Sequence, residues 1–415
     1  MQASQESKLA NELTTTPVTD SVQAWLRLAA TVLLSTIGGV GMWSVVVALP
    51  AVQSEFGIAR AEATLPFTLA MLGFAAGGVA MGRLLDRVGI LGPVSVGAVT
   101  LGIGYVAAAI ARSPAIFALA HVAIGFGSSA TFGPLMADIS KWFVRRRGVA
   151  VTLCSAGNYF AGALWPPIVQ HAIESYGWRA THAAIGPLCA VAMLMIALAA
   201  LRRHAPASSE IANEPRLVSP GTLGLSPGAL QTLLALASVC CCVAMSMPQV
   251  HIVAYCGDLG YGVARGADML ALMMAFGVVG RILSGVIADR VGGLRTLMLG
   301  SALQAIALLM YLFFDGLFSL YAISALFGLF QGGIVPSYAI IVREYFPVKE
   351  AGTRVGIVLM ASLLGMALGS WMSGYIFDAT GSYQAAFVNG IAWNAVNGTI
   401  VLWLLYRRRS QVAFA

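Results

Sequence analysis

Charged side chains are scarce in this 415-residue chain: Asp, Glu, Lys and Arg together make up 10% of it, against 59% hydrophobic residues. That shortage excludes an ordinary soluble globular protein, which carries about 25% charged residues. Lysine is nearly absent, with Lys8, Lys141 and Lys349 the only three. Cysteine is sparse, and Cys154, Cys189, Cys240, Cys241, Cys242 and Cys256 show no metal-type Cys-x-x-Cys spacing, so they read as small apolar helix residues. No Ser/His/Asp triad, phosphate-binding glycine loop or metal-ligand cluster occupies a plausible position, so neither an enzyme nor a cofactor or metal site is expected.

What the chain does have is a series of apolar stretches about 20 residues long, each enough to cross a hydrocarbon core of about 30 Å. Twelve are predicted: Leu26–Pro50, Thr64–Gly82, Gly92–Ala111, Ala115–Ala137, Val149–Val169, Ala183–Leu201, Leu230–Tyr255, Met269–Ala288, Leu297–Phe314, Leu317–Val342, Val355–Ile376 and Ala385–Tyr406. The expected class is therefore an all-α membrane protein. Residues 1–25 are polar (SQESKLANELTTT), lack the layout of a removed signal peptide, and are expected to be disordered.

The 24 Lys and Arg residues divide unevenly between the two sets of loops. Nineteen fall on the side of the termini, among them Arg83, Arg87, Arg145, Arg146, Arg147 and Arg407 to Arg409; only Arg60, Arg112, Arg179 and Arg265 fall on the other. By the positive-inside rule both termini are expected in the cytoplasm. The net charge of +7 then implies contact with anionic lipid head groups rather than with nucleic acid. The run Arg145–Arg147 reads as a topology determinant.

The chain also repeats itself. A shift of 203 residues lays GRLLDRVG (Gly82 to Gly89) on GVIADRVG (Gly285 to Gly292), Gly125 on Gly328 and Phe143 on Phe346, and a shift of 204 lays Gly177 on Gly381. Several matches at one offset predict two homologous six-helix halves, 26–201 and 229–406. The Pro/Ser-rich stretch 202–228 joins them as a flexible linker, and 407–415 forms a short tail.

Twelve spans, a 6+6 repeat, a long central loop and a G-x-x-x-D-R-x-G signature after spans 2 and 8 resemble the major facilitator superfamily over essentially the whole chain. Within it, KWFVRRRGVAVTLCSAGNYFAG, VHIVAYCGDLGYG, GRILSGVIADRVGG and IFDATGSYQAAF are similar to the monocarboxylate transporter and oxalate:formate antiporter branch. The resemblance implies two pseudo-symmetric bundles that alternate access to a central site. It also implies a cytoplasmic gate at Asp86, Arg87, Asp289 and Arg290, weaker in the first half, where VGILG lacks the further basic residues usual in the family. Carboxylates at helix ends beside arginines can make and release such contacts.

Glycines at Gly78 and Gly82, Gly365 and Gly369, and Gly125 and Gly127 are expected to bring helix backbones together. Pro134 and Pro336 are expected to kink spans 4 and 10.

One charge fits neither loops nor gate. Arg281 lies inside span 8, where a guanidinium costs roughly 2.5–3.5 kcal/mol on insertion scales and therefore faces a partner or a wet cavity. None of the 17 acids lies at mid-depth, so an anionic substrate is the natural counter-ion, held by two parallel hydrogen bonds to its carboxylate. The resemblance agrees, since related transporters place their carboxylate-binding arginine in span 8. No embedded lysine accompanies it, unlike the oxalate pattern with its lysine in span 11, and a single cation suits a monocarboxylate such as lactate or pyruvate. The animal pattern departs too: it has an aspartate one turn before the arginine, where this chain has Gly277, and a lysine in span 1, where this chain has none.

Further candidates to bond substrate are Trp43, Ser128, Ser129, Asn158, Tyr159, Gln331, Tyr338 and Ser362; candidates to carry a coupling proton are His251, Asp258 and His121. The expected function is symport of a small monocarboxylate with a proton across a bacterial-type inner membrane, by a monomer. The alternatives are an exchanger or exporter of another organic anion, such as oxalate or an aromatic acid, and a non-transporting receptor on the same fold.

Overall fold

The computed structural model describes residues 19–202 and 223–413. The expectations for most of the N-terminal tail and of the linker fall outside the described residues.

The apolar runs form helices, and local signals mark many of their ends. The first half comprises α1 (Val22–Gly38), α2 (Val40–Phe56), α3 (Arg60–Val88), α4 (Leu91–Ala109), α5 (Pro114–Ser129), α6 (Gly133–Ile139) and α7 (Arg147–Ala200). The second comprises α8 (Pro227–Asp258), α9 (Val263–Val291), α10 (Gly293–Phe313), α11 (Leu317–Gln331), α12 (Ile334–Tyr345), α13 (Val348–Thr380) and α14 (Gln384–Ala413). Ser21, Ser113 and Ser226 cap α1, α5 and α8 by accepting an amide from the first turn, and Pro follows at once in the latter two. α14 continues to Ala413, past Tyr406, where the apolar run ends.

Eleven helical segments among the described residues are long and apolar enough to cross a membrane, with α1 and α2 counted together. One of them is α7, whose 54 residues would extend about 81 Å if straight. It breaks at Gly177, where φ is 79° and ψ 158°, and the part beyond Gly177 packs on α4 through Gly186 against Tyr105. Counted as two, the spans number twelve.

The repeat survives at the level of contacts. Gly125 of α5 sits against the Ala70 backbone of α3, and Gly328 of α11 sits against the Met273 backbone of α9; all four positions obey the offset of 203. The glycines closing the signature, Gly89 (φ 74°) and Gly292 (φ 86°), both end their helices in a conformation that other residues rarely adopt. A Cβ at Gly125 or Gly328 would overlap a backbone carbonyl. Gly125→Ala and Gly328→Ala are therefore each expected to destabilise the protein by about 1–3 kcal/mol, read as a lower melting midpoint in detergent.

Gly82→Ala is the control, because nothing approaches that position. This corrects the expectation for span 2: Gly78 and Gly82 have no neighbour within 4 Å, whereas Gly73 and Gly77, a few positions back, meet Val122 and Phe126 of α5. The helix is rotated by about one residue from the face that the spacing suggested. Gly365 and Gly369 do pack, on Val239 and Val243 of α8, as does Gly127 on Gly97.

Spans 4 and 10 are both interrupted at mid-length, between α5 and α6 and between α11 and α12. Pro134 lies at the start of α6 and Pro336 in the first turn of α12. The two halves meet along α3 with α13 and along α7 with α9. Ahead of α1, Asp20 accepts amides of Val144, Arg145 and Arg146, anchoring the arginine run. Partial burial pushes its carboxyl up, but the amides of Arg145, Val144 and Arg146 outweigh that and leave it below its ordinary pKa.

Candidate functional site

Arg281 lies one turn past the middle of α9 and is 8% exposed. It points across the seam between the halves to α7. Nη1 donates to the Ser155 hydroxyl (2.9 Å) and carbonyl (3.2 Å), and Nε donates to the Gly332 carbonyl (3.4 Å), which the interruption of span 10 has freed. The guanidinium lies 4.4 Å from the centre of the Tyr159 ring, a cation–π contact. Gly277, one turn earlier, leaves room for that ring. None of the ion pairs among the described residues includes Arg281, and its Nη2 makes no hydrogen bond with them.

Trp43, Asn158 and Gln331 lie next to this pair. Trp43 of α2 donates from its indole to the Asn158 carbonyl (3.1 Å), which places α2 beside the same stretch of α7. Gln331 ends α11 one residue before Gly332; its Oε1 accepts from Gln249 of α8 (2.6 Å) and its Nε2 is buried without a partner. Ser128, which corresponds to Gln331 at the offset of 203, has a buried hydroxyl without a partner, at the interruption of span 4. Ser129 instead donates to the Phe126 carbonyl.

Two candidates lie elsewhere. Tyr338 donates to Asn397 (3.0 Å) within the second half, and Ser362 pairs with Ser238 (2.6 Å) between α13 and α8. Both hydroxyls bond a side chain of a neighbouring helix of the second half, and neither is among the contacts of Arg281.

The proton candidates separate into two environments. His121 is buried in the first half beside His182 (ring centroids 6.1 Å apart) and bonds the Phe117 carbonyl through Nδ1, away from Arg281. His251 and Asp258 belong to one network at the end opposite the basic loops. Nη2 of Arg60 donates to both carboxylate oxygens of Asp258 at 3.1 Å, and Nη1 donates to the Tyr383 hydroxyl at 3.0 Å. That hydroxyl in turn meets Nδ1 of His251 at 3.0 Å.

At the basic end, Asp86, Arg87, Asp289 and Arg290 are exposed and make no hydrogen bond or ion pair among the described residues. The structure does not join the four charges; instead, α3 and α13 are pinned together at the opposite end by Arg60 and Asp378. All six cysteines are free and buried, as small apolar helix residues would be.

Sequence reasoning missed Ser155, Gln249, Arg60, Tyr383 and Asp378. A signal existed for two of them. Ser155 lies one helical turn before Tyr159, on the same face, and Arg60 is one of only four basic residues on its side.

Comparison with known proteins adds four findings. The family model of the Major Facilitator Superfamily matches residues 31–319 and 267–414. The chain is 31% identical over 270 residues to monocarboxylate transporter 13 of Bos taurus, covering 64% of this chain and 61% of that protein's length. It is 27% identical over 387 residues to monocarboxylate transporter 11 of Mus musculus, covering 89% and 84%. Among solved structures, the nucleoside transporter NupG superposes with a TM-score of 0.73 at 14% identity, over 92% of this chain and 99% of that one, a likeness of fold.

Proposed function

The chain belongs to the major facilitator superfamily, a multi-pass membrane protein of a transporter family that resembles the monocarboxylate transporter branch; on that premise we propose that it carries a small monocarboxylate together with a proton, by alternating access. The observation that carries the proposal is Arg281: a buried guanidinium at mid-depth, on the seam between the halves, with no carboxylate among the described residues to neutralise it and two N–H groups uncommitted among them. A substrate carboxylate supplies the missing charge and accepts those bonds.

The unpaired amide of Gln331 supports a narrower choice. Gln249 holds its oxygen, so Nε2 is the atom left to donate, one residue from the carbonyl that Arg281 uses. A buried donor without a partner costs about 1–3 kcal/mol, and a 2-hydroxy or 2-oxo acid such as lactate or pyruvate carries an oxygen to accept it.

The proton resides at His251. Taken up together, a proton and a carboxylate leave the carrier's charge unchanged, which favours the crossing of a low-dielectric core. Residues 26–201 and 229–406 act as the two rocking bundles. With nineteen basic residues on the side of the termini, both termini are cytoplasmic, and the membrane is a cell (inner) membrane. The network at Arg60 then closes the outer face, while the exposed Asp86, Arg87, Asp289 and Arg290 belong to an inner gate that is open.

Reconstitution tests the reading. In proteoliposomes with an imposed pH gradient, labelled pyruvate or lactate is expected to accumulate on the alkaline side. Counterflow that is independent of the gradient would indicate exchange instead, and binding without flux would indicate a receptor.

A further inference from the structure

Arg60 opens α3 in the first half, yet all its side-chain hydrogen bonds are to the second. Asp258 accepts from it twice and Tyr383 once, and its guanidinium lies 4.7 Å from the centre of the Phe377 ring. Asp378 completes the arrangement by accepting the backbone amides of Arg60 (2.8 Å) and Ala61 (2.7 Å), so a carboxylate from the second half caps a helix of the first. Gly374 lets α13 approach to contact distance there. At 7% exposure, Arg60 is the buried centre of the outer closure.

His251 reads into this closure through one atom. Its Nε2 lies 2.9 Å from the Ser370 carbonyl, which only accepts, so Nε2 bears a hydrogen. In the neutral ring, Nδ1 is then an acceptor. It receives the Tyr383 hydroxyl proton, and the phenolic oxygen remains free to accept from Nη1 of Arg60. Each of the three links, Nη1 to the phenol, the phenol to Nδ1 and Nε2 to the Ser370 carbonyl, then has one donor and one acceptor.

A proton added to Nδ1 breaks the pattern. The imidazolium must donate to the phenolic oxygen that Arg60 already uses, the hydroxyl hydrogen loses its acceptor, and a second cation sits one side chain away from the guanidinium. The ionisable groups facing the ring and its partner are Arg60 from α3, Asp378 from α13, Tyr255 and Asp258 from α8, and Tyr383 from the turn before α14. Asp315 neighbours Tyr255, and Arg265 and Asp268 neighbour Cys256. No carboxylate bonds the imidazole, so nothing in direct contact offsets the new charge.

We infer that Tyr383 is a positioning residue that passes the protonation state of His251 to Arg60, so that taking up a proton from outside loosens the outer closure. The inference rests on the reading of His251 as the proton site, but not on the identity of the substrate.

The test is therefore made without substrate. Gly82 and Gly356, on α3 and α13 at the inner end, have no neighbour within 4 Å, so spin labels at G82C and G356C report how far that end is open. All six native cysteines are buried, so labelling is directed to the introduced pair. Between about pH 8 and about pH 4, the short-distance population is expected to rise about threefold or more as the outer end opens and the inner end closes. Tyr383→Phe, which keeps the ring but removes the relay, is expected to flatten that dependence, and His251→Gln to do the same by an independent route.

A distance distribution that ignores pH in the otherwise unaltered protein overturns the inference. So does an undiminished pH response in both variants. Failure of pyruvate or lactate uptake, with the pH response intact, overturns the substrate reading alone.

Discussion

Arg281→Ala is expected to abolish carboxylate uptake by proteoliposomes while the protein still inserts and purifies as wild type does. A hydrogen bond to a charged group contributes about 1.5–3 kcal/mol, and a guanidinium bound to a carboxylate makes two. Losing both is worth upwards of about 3 kcal/mol, more than a hundredfold in affinity. The protein itself loses less. The Ser155 hydroxyl and the Ser155 and Gly332 carbonyls give up a donor, but a costly buried cation disappears with it. Arg281→Lys separates charge from shape: an ammonium preserves the attraction but lacks the fork and the stacking on Tyr159, so it is expected to raise KM steeply and retain measurable flux. Unchanged uptake in the alanine variant would sink the site.

The legible parts of this molecule are those written in local or periodic form. Span number follows from apolar run length. The repeat showed itself as glycines at a constant offset, because Gly125 and Gly328 each meet a backbone where a Cβ has no room. Arg281 was legible because a charge at mid-depth needs no neighbour to be identified.

The unread parts depend on which way a helix is turned. Arg60 lies 198 residues from Asp258, 318 from Asp378 and 323 from Tyr383. The count of basic residues put Arg60 on the side away from the termini, but only packing shows that it faces Asp258. Gly78 and Gly82 carry the spacing of a packing face, but Gly73 and Gly77 make the contact. Tyr338 and Ser362 show the same ambiguity in polar form, since a hydroxyl at mid-depth serves a neighbouring helix as readily as a ligand. The four charges of the gate signature do lie near helix ends, but they make no ion pair among the described residues, while α3 and α13 are joined by hydrogen bonds at the opposite end.

Asp138→Ala is expected to be the most damaging substitution for stability. Asp138 ends the second piece of span 4 and accepts from Nε of Arg27 at 2.8 Å, with side chains 8% and 3% exposed. The same guanidinium donates to the Ala200 carbonyl (3.2 Å) and lies 4.5 Å from the centre of a Trp142 ring. One buried cation therefore ties together the first, fourth and sixth spans of the first half. Removing the carboxylate takes a buried, charged acceptor away from Nε of Arg27, at a cost of about 3–5 kcal/mol, or on the order of 10 °C in melting midpoint for a bundle of this size. Asp138→Asn retains an acceptor and is expected to fall between alanine and wild type. The double variant Arg27→Met with Asp138→Leu removes both charges and is expected to recover most of the loss, since a buried pair contributes little beyond an apolar pair of similar volume. Thermal melting in detergent distinguishes these outcomes. A double variant as unstable as Asp138→Ala would mean that other contacts of Arg27, those to Ala200 and Trp142 among them, hold the three spans together rather than its pairing with Asp138.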